Sequence, residues 1–170
     1  KGNVINPIDV IEKYGADALR MALVMSTTAG KDSNTGEEKI RGMRNFTNKL
    51  WNASRFILMN ENKKDEPAAA DDADFYTHIE QTAETITRQL SNLQIGLETE
   101  SIYQEFWHWF CDEAIENNKK GTISYTALKK GLSTFLVLLH PFVPFVTEEI
   151  WSKIGEKGLL INQEWPLKTN

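Results

Sequence analysis

The sequence predicts an all-α protein, an antiparallel bundle of four long helices and a short closing helix, preceded by a short helical segment. One observation is the helical spacing of apolar residues. In a helix over 37–60, one face carries Met43, Phe46, Leu50, Ala53 and Ile57. Another is that strand signals are nearly absent, the best weak candidate being the stretch 159–161. A chain of 170 residues is also long enough to bury one core.

Two short helices are predicted at the start of the chain. Asn6 is a suitable N-cap, and Pro7 suits the first helical position, where its missing N–H would have no partner anyway. Gly15 breaks this helix after about Tyr14, and a second helix is predicted over 17–25.

The bundle helices come next along the chain. The stretch 27–36 is rich in Gly, Asp, Ser and Asn and is predicted to be a loop, while 61–71 is predicted to be a surface linker. Pro141 and Pro144 are expected to force a bend before the last helix. The predicted bundle helices cover 37–60, 72–90, 96–118, 124–139 and 147–154.

The most informative stretch is 44–56, within the first long helix. Outside its apolar face it carries Arg44, Asn45, Lys49, Asn52, Arg55 and Phe56. A purely solvated face would more often show Glu and Lys pairs. Asn, Lys and Arg beside an aromatic ring suit unstacked RNA bases and their phosphates. From chemistry alone, a bundle helix with a polar outside is the alternative.

The charge distribution favours a single docking face for RNA. The net charge is −5, but residues 37–60 hold five basic and two acidic side chains. Residues 61–118 hold fourteen acidic and three basic ones. Because the acidic part repels a polyanion, RNA is expected to contact the helix that carries the basic side chains.

Several classes of protein and site are not expected. One cysteine cannot form a disulfide framework. The sequence shows neither an apolar run long enough to span a membrane nor a signal peptide, so a cytoplasmic location is expected. Glu105 and His108 form an incomplete ligand set, so no metal site is expected. No catalytic constellation appears. The first residue is Lys, so we expect a piece of a longer protein.

Four stretches, in order, resemble the class Ia valyl-tRNA synthetases. The string 44–56 resembles the helix that opens their anticodon-binding domain, and 106–116 resembles the middle of that domain. The start of the chain, 1–20, is similar to the segment just after the lysine signature loop, and 138–151 is similar to the closing helix pair. The first and last stretches are shared with isoleucyl and leucyl relatives, which leaves those two families as alternatives.

The resemblance implies how the chain is divided into segments and which part of the longer protein carries out catalysis. Residues 1–33 would be a connecting, stem-contact segment, and 34–170 the helical anticodon-binding domain. ATP and valine would bind a catalytic domain of the same chain, whose His-x-Gly-His and Lys-Met-Ser-Lys-Ser signatures do not occur here. This piece alone would therefore be inactive and would need no cofactor. The family's C-terminal coiled coil is not seen after residue 166.

The resemblance also implies that the partner is the anticodon loop of valine tRNA. The middle and third anticodon bases, A and C, would be the discriminating ones. Binding to DNA or to a membrane is not expected. Phe56 would stack on a base, and Lys49 would reach a base edge or phosphate. Two further candidates, Asn45 and Asn52, would read base edges. The side chains that would bind phosphate are Arg44, Arg55, Lys39 and Arg41. Salt bridges to the acidic helices are the alternative for Arg44 and Arg55. A protein-interaction bundle without an RNA role is the competing class.

Overall fold

The computed structural model describes residues 6–26, 35–64 and 66–167. Within these ranges all regular structure is helical and no strand occurs, which confirms the all-α prediction. Most of the loop predicted over 27–36 lies outside the described residues. The helices are α1 Pro7–Tyr14, α2 Ala16–Met25, α3 Glu37–Met59, α4 Asp72–Ser91, α5 Ile95–Gln104, the π-helical segment Glu105–Ala114, α6 Ile115–Lys120, α7 Tyr125–Leu139 and α8 Pro144–Lys153.

The predicted start of the chain agrees with the structure. The Asn6 side chain accepts a hydrogen bond of 3.1 Å from the N–H of Ile8, as an N-cap does, and Pro7 occupies the first helical position. Gly15 separates α1 from α2 with a φ of 89°, a conformation that strains residues with a Cβ atom.

Three elements differ from the sequence-based expectation by more than a single terminal residue or in type. The weak strand at 159–161 is wrong, because Leu160–Asn162 forms a 3₁₀ turn. The last helix begins at Pro144 and not at Thr147, since a proline at the first helical position loses no intrahelical hydrogen bond. The helix predicted over 96–118 is longer, and it contains the π-helical segment Glu105–Ala114 between α5 and α6.

Aromatic rings form the centre of the core. Phe46, Phe106, Phe110 and Phe135 are all fully buried. The ring of Phe106 lies 5.7 Å from that of Phe46 and 5.4 Å from that of Phe135, measured between centroids in edge-to-face geometry. The π-helical segment therefore joins α3 to α7 through one continuous aromatic cluster.

Helix α7 approaches α4 closely at Gly131. A Cβ atom at this position would lie 2.5 Å from Cζ of Phe75, which is too close for an unshifted ring. The glycine is therefore required for packing, although it lies inside a helix, where glycine normally lowers stability.

Helix α2 is tied to the turn between α7 and α8. The Asp17 carboxylate accepts hydrogen bonds from the backbone N–H groups of Phe145 (3.2 Å) and Val146 (2.7 Å), at the start of α8. The Arg20 guanidinium donates to the carbonyl oxygens of Pro141 (3.0 Å) and Phe142 (3.4 Å). Burial raises the pKa of Asp17, and the two backbone hydrogen bonds oppose that shift. None of the described helices is both long and apolar enough to cross a membrane.

Candidate nucleic-acid interface

Helix α3 separates an apolar face from a polar one, as its sequence predicts. Its core face is buried, with Phe46 and Leu50 fully excluded from solvent. Arg44, Asn45 and Arg55 are exposed on the opposite side. The five apolar residues predicted to face the core, Met43, Phe46, Leu50, Ala53 and Ile57, are all buried.

A groove of about 410 Å³ runs along one flank of α3 and brings three of the predicted site residues together. We call it the α3 groove. One wall is formed by α3, and the other by the end of the π-helical segment and by α6. It is lined by Lys49, Asn52, Ala53 and Phe56 on the first wall and by Cys111, Asp112, Ile115, Glu116 and Lys119 on the second.

Lys49 crosses the groove. Its Nζ lies 2.8 Å from Oδ1 of Asp112 and 5.1 Å from the ring centroid of Trp107, and one third of its side chain is exposed. The sequence predicted a lysine that reaches toward RNA but did not predict this ion pair. The pair fixes the ammonium group at the groove wall, where it can still contribute a free N–H.

Phe56 lies at the other end of the groove. Its ring is half-buried against the core. The Nζ of Lys119 lies 5.3 Å from the ring centroid and 2.6 Å from Oε1 of Glu116. One part of the ring is thus already in contact with a cation, and the stacking role of Phe56 stays a prediction.

The remaining basic candidates lie outside the groove lining. Arg44 and Arg55 form no ion pair with any described residue, so the salt-bridge alternative is wrong over this part of the chain. Arg41 makes only a long contact of 4.0 Å with Glu38, and Lys39 is half-buried. Exposed guanidinium groups without carboxylate partners are suitable for phosphate binding.

Sequence reasoning missed the second wall of the groove as part of the site. Asp112, Glu116 and Lys119 are spaced four and three residues apart, which places them on one helical face. That spacing was visible in the sequence, but only the fold places this face opposite α3. The π-helical segment was also missed, since it depends on the hydrogen-bonding register of the backbone.

Side chains that could carry other chemistry are either buried or paired with another side chain. Burial raises the pKa of the Cys111 thiol to about 12, which keeps it protonated and unreactive. Glu105 pairs with Nε2 of His78 at 2.8 Å, and Nδ1 of His108 lies 3.6 Å from Asp112. Across the described ranges, no group of three or more His, Cys, Asp or Glu side chains is placed to hold a metal ion.

Comparisons with known proteins bear on the identity of the chain. A family model described as the anticodon-binding domain of tRNA ligase matches residues 72–170. The chain belongs to this family. A second model, described as class I tRNA synthetases (I, L, M and V), matches residues 1–36.

The sequence relatives agree with the predicted resemblance. The chain is 43% identical over 181 residues to a valine–tRNA ligase of Dehalococcoides mccartyi, covering 95% of this chain and 20% of that protein. A valine–tRNA ligase of Aquifex aeolicus is 37% identical, with 90% and 16% covered. The chain therefore spans about a fifth of the length of these relatives. The resemblance to valyl-tRNA synthetases is confirmed.

A solved structure supports the fold. The chain matches part of the LeuRS of Agrobacterium radiobacter, in its ternary complex with tRNA and LeuAMS, with a TM-score of 0.81. The match covers 97% of this chain and 21% of that one at 22% sequence identity. The chain therefore shares its helical fold with this part of LeuRS.

Proposed function

We propose that this chain binds the anticodon loop of valine tRNA in the α3 groove, as part of a valine–tRNA ligase that works in the cytoplasm. Residues 1–33 would connect the bundle to the catalytic domain, and 34–170 would bind the anticodon. ATP and valine would bind that catalytic domain, which attaches the amino acid to the tRNA. A and C would be the discriminating middle and third anticodon bases.

The observation that carries the proposal is the α3 groove itself. It gathers an ammonium group, a side-chain amide and an aromatic ring at Lys49, Asn52 and Phe56. A base in a loop is already partly unstacked, so its edge can be read at little cost. Arg44 and Arg55, exposed on the same helix, would bind the phosphates on either side.

The test is binding of valine tRNA to the chain and to its Phe56→Ala variant. Loss of a stacked ring is expected to weaken binding about tenfold, because stacking contributes about 1–3 kcal/mol per base. The matched control is Phe145→Ala, which removes the same side chain from an exposed position on α8, outside the α3 groove. That variant should bind as the unmodified chain does.

A valine tRNA with a changed middle anticodon base completes the test. A preference for the native anticodon that persists as salt rises supports base reading, since phosphate contacts alone weaken steeply with salt. Equal loss in both phenylalanine variants, or equal binding of isoleucine and leucine tRNAs, would contradict the proposal. Absence of tRNA binding even at low salt would favour a protein-interaction bundle.

A further inference from the structure

We propose that Asp112 makes the α3 groove select a base that carries an exocyclic amino group, so that cytosine is accepted and uracil is rejected. The inference rests on the proposed function, because it assumes that a base enters this groove. Nothing in the sequence pattern suggested a carboxylate as the selective group. The fold supplies it, by placing Asp112 opposite Lys49.

The position of Asp112 makes its carboxylate available to a ligand. The side chain lines the groove and is about half exposed, at 47%. Oδ1 is held by Lys49 at 2.8 Å, and Oδ2 lies 3.6 Å from His108. A carboxylate has about four lone-pair sites, so a group oriented by one lysine still has acceptor capacity to offer.

The charges of the groove allow RNA to approach these acids. Asp112 is paired with Lys49, and Glu116 is paired with Lys119 at 2.6 Å. Each negative charge is therefore balanced by an ammonium group on the groove lining. The repulsion of phosphate is reduced, while the hydrogen-bond acceptors remain in place.

The chemistry of the bases then decides which one fits. Lys49 donates only and Asp112 accepts only, so together they present a donor beside an acceptor. Cytosine matches this pair, with its N4 amino group toward Asp112 and its ring acceptors toward Lys49. Uracil has a carbonyl oxygen in place of that amino group. Its single ring N–H lies between two carbonyl oxygens, which repel the carboxylate.

The test compares oligocytidylate and oligouridylate of equal length, because cytosine carries an amino group where uracil carries a carbonyl oxygen. The unmodified chain is expected to bind oligocytidylate about tenfold more tightly. Asp112→Asn should reduce this ratio to near one, mainly by tighter binding of oligouridylate, since the Asn amide can donate to the uracil carbonyl.

The matched control is Glu113→Gln, which removes the same charge from an exposed neighbour that does not line the groove. It should leave the ratio of about ten unchanged. Circular dichroism checks that both variants fold, which is expected because both positions are exposed.

The outcomes separate this inference from the proposed function. Equal binding of the two probes by the unmodified chain, or a ratio that survives Asp112→Asn, overturns the role of Asp112. The proposed function still stands in that case if Phe56→Ala weakens binding of valine tRNA. Failure of both probes and of valine tRNA to bind at low salt overturns both proposals. A ratio lost equally in Glu113→Gln assigns the effect to net charge and overturns the inference.

Discussion

Replacing Glu98 by Gln should stabilise the protein in alkaline solution. Glu98 lies in α5, its side chain is fully buried, and neither carboxylate oxygen has a hydrogen-bond partner among the described residues. Burial raises its pKa from the ordinary value of 4.5 to about 8. Near neutral pH the buried carboxyl is therefore mostly protonated, while in the unfolded chain it is ionised.

The size and sign of the effect result from that difference. Between pH 4.5 and about 8 the native state holds a proton that the unfolded state has released, so the free energy of unfolding falls as pH rises. The full shift corresponds to about 4–5 kcal/mol. Structural relaxation around the charge reduces the expected loss to about 2–3 kcal/mol. Glu98→Gln cannot ionise and should avoid this loss.

The assay is urea unfolding followed by tryptophan fluorescence at pH 5, 7 and 9. The variant should match the unmodified chain at pH 5 and exceed its free energy of unfolding by about 2–3 kcal/mol at pH 9. Glu100→Gln, an exposed neighbour on the same helix, is the control and should behave as the unmodified chain does. Parallel pH profiles for the unmodified chain and Glu98→Gln would refute the reasoning, because they would mean that Glu98 titrates normally.

Two further predictions concern other buried groups. Asp17→Ala should lower the free energy of unfolding by about 1–3 kcal/mol in the same assay, because two N–H groups at the start of α8 lose their acceptor; an unchanged value would mean that water replaces the carboxylate without cost. Cys111 should resist alkylation at neutral pH in the folded protein and react once urea unfolds it, since burial raises its pKa to about 12. Rapid labelling of the folded protein would contradict that burial.

Sequence reasoning worked best where a feature depends on neighbours along the chain. The buried face of α3, the Asn6 cap and the break at Gly15 are set by local spacing and backbone conformation, and all were predicted. The ion pair of Lys49 with Asp112 joins positions 63 residues apart. No local pattern encodes it. The half-buried state of Phe56 likewise depends on α6 packing beside it, which the amphipathic pattern of α3 alone does not specify.

The tie between α2 and the turn from α7 to α8 has a consequence for the order of folding. Asp17 and Val146 are 129 positions apart, so their hydrogen bond closes a loop that contains most of the chain. The side chains of α2 bind the N–H groups at the start of α8 and the carbonyl groups of the turn before it. These N–H and carbonyl groups come close together only after that turn has formed. We therefore expect this tie to form late in folding, after the turn between α7 and α8.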